Sequence, residues 1–450
     1  MRRLNPALAL GLGLLVLPAQ AQELKIDKHV LSNGLTVYTH EDHSAPLMSF
    51  YILYDVGSTN EHLGITGISH LFEHMMFNGS SKYAPKEFDF KLEAAGGNSN
   101  GYTVRDFTAY METFPPEAID LVLDLESDRM ASMRIDPPNL EQERGIVKEE
   151  RRLRTDNDNL GKLDEMLYLQ AFVAHPYRYP VVGFMNDLNN IKLEDTRRYF
   201  DTYYTPNNAV VAVVGDFKTA ELMPKLKAAF EKVKKGPEVP PVYAFEPEQM
   251  GERRATLVQE AELPMIMVGW RVPGVENRND MVAIDVALTL LGTGESSRLY
   301  QGLIVDKAVS VQAQAWYDTL SGPSLAIAIL QVAPGVSAAA AEAALHAEVE
   351  RLAQQPIPEA ELQKARNQLR ASTLRQLKTV DGRGNAIATH ALIYGDPQQV
   401  FKLMEARDKV TAADVQRVLR QYFVQDKRTV ITLLPAESAP AAASPAGGQP

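Results

Sequence analysis

The stretch IKLEDTRRYFDTYYTPNNAVVAVV, residues 191–214, has a second copy in this chain, VTAADVQRVLRQYFVQDKRTVITL at 410–433. At an offset of 219, Asp195 falls on Asp414, Phe200 on Leu419, Tyr203 on Tyr422, Tyr204 on Phe423 and Val211 on Val430. Each copy reads as an amphipathic helix, a short turn and a β-branched strand. APLMSFYILYDVGSTNE (45–61) pairs in the same way with LPMIMVGWRVPGVENRN (263–279), Pro46 falling on Pro264 at an offset of 218. Two matches at nearly one offset mark a duplicated domain.

Between these anchors, strands are predicted at 35–40, 47–55, 109–114, 209–214, 255–260, 265–271, 324–331 and 428–434. Helices are predicted at 66–78, 86–95, 116–131, 139–155, 338–354 and 358–376. Strands come in groups with helices between the groups. The expected fold class is α+β: two duplicated domains, each a mostly antiparallel β-sheet with helices packed mainly on one face. The break at 235–253 carries Pro237, Pro240, Pro241 and Pro247 and reads as a linker. It divides an N-terminal domain, 22–234, from a C-terminal one, 254–435.

Both ends read as outside the fold. Arg2 and Arg3, the apolar run Leu8–Leu17 and the small-x-small site Ala19-Gln20-Ala21 make residues 1–21 a secretory signal peptide. Its removal takes two arginines, so the formal charge of −11 becomes −11 − 2 = −13. The expected location is the bacterial periplasm. Residues 436–450, AESAPAAASPAGGQP, cannot bury a core and are expected to be a disordered tail. No apolar stretch after residue 21 is long enough to span a bilayer. The acidic balance and the lack of a Lys/Arg run argue against a nucleic-acid partner. With no cysteine in the chain, a thiol nucleophile and a thiolate metal site are excluded.

The chemistry sits in GISHLFEHMMF (67–77). On a helix, His70 and His74 lie one turn apart, with Cβ atoms about 5–6 Å from each other, so both can reach one metal ion. Glu73 faces the same side and can accept a proton from water there without being a ligand. Ile68, Leu71, Phe72, Met75, Met76 and Phe77 surround them with apolar groups. A catalytic zinc site needs a third ligand, and two His with one Glu is a standard set. The helix NLEQERGIVKEERRL (139–153) offers Glu150, on a face shared with Glu143, Ile146 and Leu153. Spacing alone leaves two readings open: metal ligation, or glutamates that are solvated or paired with Arg.

His-x-x-Glu-His followed by a Glu 150 − 74 = 76 positions on resembles the pitrilysin-type, or M16, metallopeptidases. Further segments resemble that family in its own order. They are Gly96-Gly97-Asn98-Ser99-Asn100-Gly101-Tyr102-Thr103 with Asp106, Thr108 and Tyr110; His175-Pro176-Tyr177-Arg178-Tyr179-Pro180-Val181-Val182-Gly183; and Leu291-Gly292-Thr293-Gly294-Glu295-Ser296-Ser297-Arg298-Leu299. The resemblance implies one Zn2+ per chain held by His70, His74 and Glu150, with Glu143 behind the ligands and Glu73 as catalytic base. It implies an endopeptidase that cuts unfolded peptides or small polypeptides in a closed chamber, the substrate added as a strand to a sheet edge. Asn100 and Gly101 are candidates for that edge; a tight turn suits them equally.

The second half lacks the metal residues. At the offset of 218, His70 falls on Leu288 and His74 on Gly292. Active members of the family place an Arg and, seven residues on, a Tyr in the C-terminal domain; here Ile304 and Val311 stand there. The implied assembly is a heterodimer whose second chain supplies that pair, with a self-sufficient homodimer as the alternative. A silent zinc-binding scaffold is the competing function, and the intact Glu73 argues against it.

Overall fold

A computed structural model describes residues 24–436. The signal-peptide reading of 1–21 and all of the tail reading beyond Ala436 fall outside those residues. The first half contains β1 (Asp27–Val30), β2 (Thr36–Glu41), β3 (Met48–Tyr54), β4 (Asn98–Thr103), β5 (Thr108–Phe114) and β6 (Ala209–Gly215). Its helices are α1 (Ile68–Met75), α2 (Glu87–Ala94), α3 (Ile119–Ser132), α4 (Pro137–Arg151), α5 (Asn159–Ala171), α6 (Met185–Asn190), α7 (Leu193–Tyr203) and α8 (Thr219–Phe230). The second half contains β7 (Arg253–Gln259), β8 (Met265–Val272), β9 (Ser310–Tyr317), β10 (Ser324–Val332) and β11 (Arg428–Pro435). Its helices are α9 (Arg278–Gly292), α10 (Ala338–Gln354), α11 (Glu359–Gln376), α12 (Val380–Tyr394), α13 (Gln399–Lys409) and α14 (Ala412–Tyr422).

The sheets run β1-β2-β6-β3-β5-β4 and β7-β11-β8-β10-β9. Apart from the extra β1, strand order and direction match step for step. In each sheet one pair is parallel, β2 with β6 and β7 with β11, and every other pair is antiparallel. The duplication read from 191–214 and 410–433 is therefore the repeat α7-β6 and α14-β11. The register slides within it. Val211 lies opposite Ile52, and Val430 lies opposite Val268 rather than residue 52 + 218 = 270. A slide of two residues keeps every side chain on its own face.

One face of each sheet packs on the half's own helices, forming two large apolar cores. The opposite faces are covered by an exchange. Helix α12 of the second half lays Ile387, Ala388 and Ala391 against Tyr51, Leu53, Ala212 and Val214 of the first sheet. Helix α5 of the first half lays Leu163 and Leu167 against Met267, Ile431 and Leu433 of the second. Glycine permits both approaches: a Cβ on Gly384 would meet the Tyr51 ring at 2.7 Å, and one on Gly269 would meet Leu167 at 3.0 Å. Coverage on two faces explains why MSFYILY of β3 is buried throughout and reads as an unbroken apolar run.

Residues 234–252 form no helix or strand, and Tyr243, Phe245 and Met250 within them are exposed. Elements missed by periodicity have identifiable causes. Strand β4 is spelled NSNGYT, a turn composition held extended by β5. Helix α12 carries Gly382 and Gly384 in its first turns, which hides its period.

Candidate metal centre

Helix α1 begins at Gly67 with φ +87°, where a Cβ would sit 2.5 Å from the Val182 carbonyl. Only a glycine allows the 175–183 segment to pass so close. The buried Glu61 carboxylate accepts from Gly67 N at 2.7 Å and Ser69 N at 2.8 Å. It thereby satisfies N–H groups that the first turn leaves free. Burial pushes its pKa up to about 7 against those two bonds. Asp187 holds Thr66 Oγ1 at 2.7 Å in the same turn. The helix that carries the histidines is thus fixed at its start.

His70 and His74 project from α1 with ring centroids 4.9 Å apart. Glu150, on the last turn of α4, reaches them across the helix pair. Its Oε2 lies 3.2 Å from His74 Nε2 and 3.6 Å from His70 Nε2. Each of the three residues offers one donor atom within 4.8 Å of the others, a spacing that fits a single metal ion. Burial, then the His74 charge, push the His70 pKa down to about 4. The His74 pKa rises to about 9, because bonds to Glu143 and Glu150 outweigh burial. The three groups converge where a divalent cation would meet both rings and the carboxylate at once. His70 Nδ1 is buried without a protein partner. His74 Nδ1 faces Glu143 Oε2 at 3.5 Å, and Glu143 also accepts from Asn78.

The face expected to hold Glu150 differs from the one observed. Ile146 and Leu153 are 45% and 71% exposed, whereas α4 buries Leu140, Glu143, Arg144, Val147 and Arg151. Glu150 lies on the border of the buried face, at the mouth of a cavity, rather than in an apolar seam. Arg151 fixes its position by bonding Glu165 and the Gly183 carbonyl, each at 2.8 Å. Beyond α4 the chain winds into a wider π-turn, Arg152–Asp156. There Arg154 Nη1 contacts Glu150 Oε1 at 2.9 Å, so each carboxylate oxygen has a separate task. Its neighbour Glu149 points outward and pairs with Arg152.

Glu73 is half-buried on the same side of α1. Burial raises its pKa, and the bond from Thr103 Oγ1 at 2.7 Å opposes that rise. Thr103 ends β4, the edge strand of the first sheet. Asn100 and Gly101 lie on this edge, and the Asn100 side chain turns back onto Gly101 N at 2.9 Å. A Cβ on Gly101 would crowd Glu73 and Phe77, both at 3.3 Å, so the bare strand lets α1 lie against it. The result is a cavity of about 590 Å³ that brings His70, Glu73, His74 and Glu150 together with residues 100–103 and Arg154. Sequence reasoning missed Thr103 and Arg154. The first was hidden in a turn-like stretch, the second in the run Arg151-Arg152-Leu153-Arg154.

The other motif segments brace the fold. Tyr177 donates to Asp106 at 2.5 Å and accepts from Gly322 N at 3.0 Å, tying the halves together. Arg298 is committed to a two-pronged pair with Glu361, both bonds 2.7 Å. Ile304 packs on the second core, and Val311 is 49% exposed on β9.

Comparison with known proteins agrees with this geometry. The family model described as Insulinase (Peptidase family M16) matches residues 36–183, and that described as Peptidase M16 inactive domain matches 190–369. The chain is 32% identical to "Zinc protease PqqE" of Helicobacter pylori over 93% of its own length and 94% of the relative's. It is 25% identical to a "Probable mitochondrial-processing peptidase subunit beta" of Arabidopsis thaliana, over 91% of this chain and 78% of that one. A crystal structure of a protease from Helicobacter pylori superimposes with a TM-score of 0.88 at 31% identity, covering 92% of this chain and all of that one. The two sheets, the helix pair that brings two histidines to a glutamate, and these likenesses along nearly the whole chain establish that it belongs to the M16 family of peptidases.

Proposed function

We propose that this chain is a zinc-dependent endopeptidase acting on unfolded peptides or small polypeptides. One observation carries the reading: a His-His-Glu group and an independent carboxylate, Glu73, meet beside an unpaired sheet edge. His70, His74 and Glu150 hold the metal, one ion per chain. A bound zinc ion supplies Lewis acidity, which acidifies water and polarises a carbonyl. Glu73, its pKa raised by burial, takes a proton from water and returns it to the leaving amine. Glu143 orients His74 through Nδ1. The edge of β4 at Asn100 and Gly101 offers backbone N–H and C=O groups to an extended peptide, a mode tolerant of side chains.

The working unit is a heterodimer in which a second, similar chain supplies the Arg/Tyr pair and closes the chamber. The support is local: Ile304 and Val311 occupy the corresponding places, and Arg298 is engaged with Glu361. Ile146 and Leu153, exposed on the segment that carries Glu150, suit a covering surface. Residues 1–21 export the chain to the periplasm, and among the described residues no helix is long and apolar enough to cross a membrane.

The test is to purify the mature chain, count its zinc and follow hydrolysis of unfolded peptides, alone and with a neighbouring-gene homologue. Glu73→Gln should keep the metal and lose turnover. Retained turnover in that variant defeats Glu73 as the base; no hydrolysis of any peptide, alone or with the homologue, defeats the peptidase reading; full activity of the lone chain defeats the heterodimer and leaves the homodimer.

A further inference from the structure

The chain contains three Asn-Gly pairs, at 33–34, 78–79 and 100–101. Such a pair carries a latent reaction. The glycine amide nitrogen can attack the side-chain carbonyl carbon of the asparagine, and a residue without a Cβ leaves that approach open. The fold decides whether it can occur. The asparagine amide must be free, the glycine N–H must lie outside backbone pairing, and the two must be held together.

Two of the pairs fail. Asn33 is buried, and its Nδ2 donates to the Phe230 and Val233 carbonyls at 2.7 and 3.1 Å. Its Oδ1 accepts from Leu35 N at 3.3 Å, while Gly34 N donates to the Leu31 carbonyl at 2.9 Å. Asn78 is buried as well, and its Nδ2 is bonded to Glu143. Both amides are anchored elsewhere in the core.

The third meets every condition. Asn100 is exposed on β4, the edge strand of the first sheet. Val104 N donates to the Phe107 carbonyl at 2.9 Å, and Gly101 stands opposite Tyr110 in the same ladder. Pairing alternates along an antiparallel ladder, so the N–H of Gly101, three residues back from Val104, points away from β5. It donates instead to Asn100 Oδ1 at 2.9 Å. The carbon open to attack, Cγ, is one bond from that oxygen.

We propose that Asn100-Gly101 is a self-modification site, at which the folded chain converts Asn100 to aspartate and isoaspartate unaided. The Gly101 N–H loses its proton to hydroxide, and the nitrogen bonds to Asn100 Cγ. The Cγ–Nδ2 bond breaks, and Nδ2 leaves as ammonia with a proton from water. Water then opens the five-membered imide. Opening at Cγ gives aspartate; opening at the backbone carbonyl gives isoaspartate, whose chain runs through the side chain and gains one methylene. The net change is one carboxamide and one water to one carboxylate and one ammonium, with no redox step. Either product adds a negative charge to the cavity that Asn100 lines with Glu73 and Glu150. Isoaspartate also lengthens β4 ahead of Thr103, whose hydroxyl holds Glu73. The conversion is independent of the peptidase reading; its effect on turnover rests on that reading.

The mature full-length chain, loaded with zinc, is incubated at neutral and at mildly alkaline pH, and peptide mass spectrometry follows each asparagine with time. Asn100 should convert about tenfold or more faster than Asn33 and Asn78, since only there are the reacting groups held together. The rate should rise with pH, and both products should form. In chain unfolded by urea the three rates should converge. Turnover of the wild type should decline in step with the conversion. Asn100→Gln, whose longer side chain would have to close a larger ring, should keep its own starting turnover over the same period. No conversion at Asn100 in the folded chain, or conversion no faster than at Asn33 and Asn78, overturns the modification site. Conversion at Asn100 with wild-type turnover undiminished overturns its effect on the metal cavity and supports the chemistry. Fresh protein that cleaves no peptide counts against the peptidase reading alone, because the mass readout does not depend on it.

Discussion

In the first half, α1 and α4 pack together and leave a cavity of about 590 Å³ with His70, His74 and Glu150 on its wall. In the second, α9 and α11 occupy the corresponding places beside the edge strand β9. They leave a cavity of about 810 Å³, lined by Leu288, Thr289, Lys364 and Asn367 among others. Sheet order and the place of the cavity survived the duplication, and among the described residues the His-His-Glu group exists in one copy. Side-chain identity is part of the difference, and backbone approach is the rest. At Gly292, aligned with His74, a Cβ would fall 2.2 Å from the Ala315 backbone nitrogen. Helix α9 is packed down on β9 where α1 stands off to hold an imidazole. The second half keeps a cavity but leaves no room for a side chain at the position aligned with His74, so placing an imidazole there cannot restore a site.

The sharpest way to break this contrast is Glu73→Gln. Turnover should fall about 10²- to 10⁴-fold with zinc content unchanged, measured by metal analysis beside steady-state kinetics. Equal turnover in the variant would place the chemistry elsewhere. Gly292→His should fail in the opposite manner. It is expected to cost about 3 kcal/mol or more in stability and to add no second zinc, measured by denaturant unfolding and metal stoichiometry. A stable variant with two zinc ions would show the halves to be interchangeable.

Smaller effects sharpen the picture within the half that carries His70, His74 and Glu150. Glu143→Gln should weaken zinc binding about 10- to 100-fold, read by competition with a chelator, because it frees His74 Nδ1 and Asn78. Chelation of the wild type should lower its melting temperature, and His74→Ala should abolish that response, since the stabilisation comes from zinc bound to the folded state.

The smallest effect belongs to the second half, where Glu342 takes the place in stability that the ligands hold in function. Burial raises its pKa, but His346 at 3.3 Å and Arg254 outweigh that and bring it down to about 2. A carboxylate lowered on folding stabilises above its unfolded value, near 4.5, and loses that contribution as pH falls toward about 2. The melting-temperature gap between wild type and Glu342→Gln should therefore be constant from neutral pH to about 5 and narrow below it. A gap unchanged by acid would assign Glu342 a packing role only.

Much of this was legible in the chain. The repeats at 191–214 and 410–433 revealed the duplication because amphipathic period and β-branching are local properties. His70, Glu73 and His74 were readable because helical spacing alone puts them on one side. Helical spacing left Glu150 open and the family resemblance chose it. The apolar seam expected beside it, Ile146 and Leu153, is exposed, and the crossing of α4 over α1 is what brings Glu150 to the histidines while Glu149 points outward.

The sequence by itself determined the repeats, the helix that carries two imidazoles and the exclusion of thiolate chemistry, since composition and short-range period are complete within a few turns of chain. Tertiary structure alone decided the exchange of α5 and α12 between halves, the extension of NSNGYT into an edge strand, and the pairing of Thr103 with Glu73 and of Arg154 with Glu150. Each of these depends on segments brought together by burial of apolar faces, an attraction without direction that no window of sequence contains.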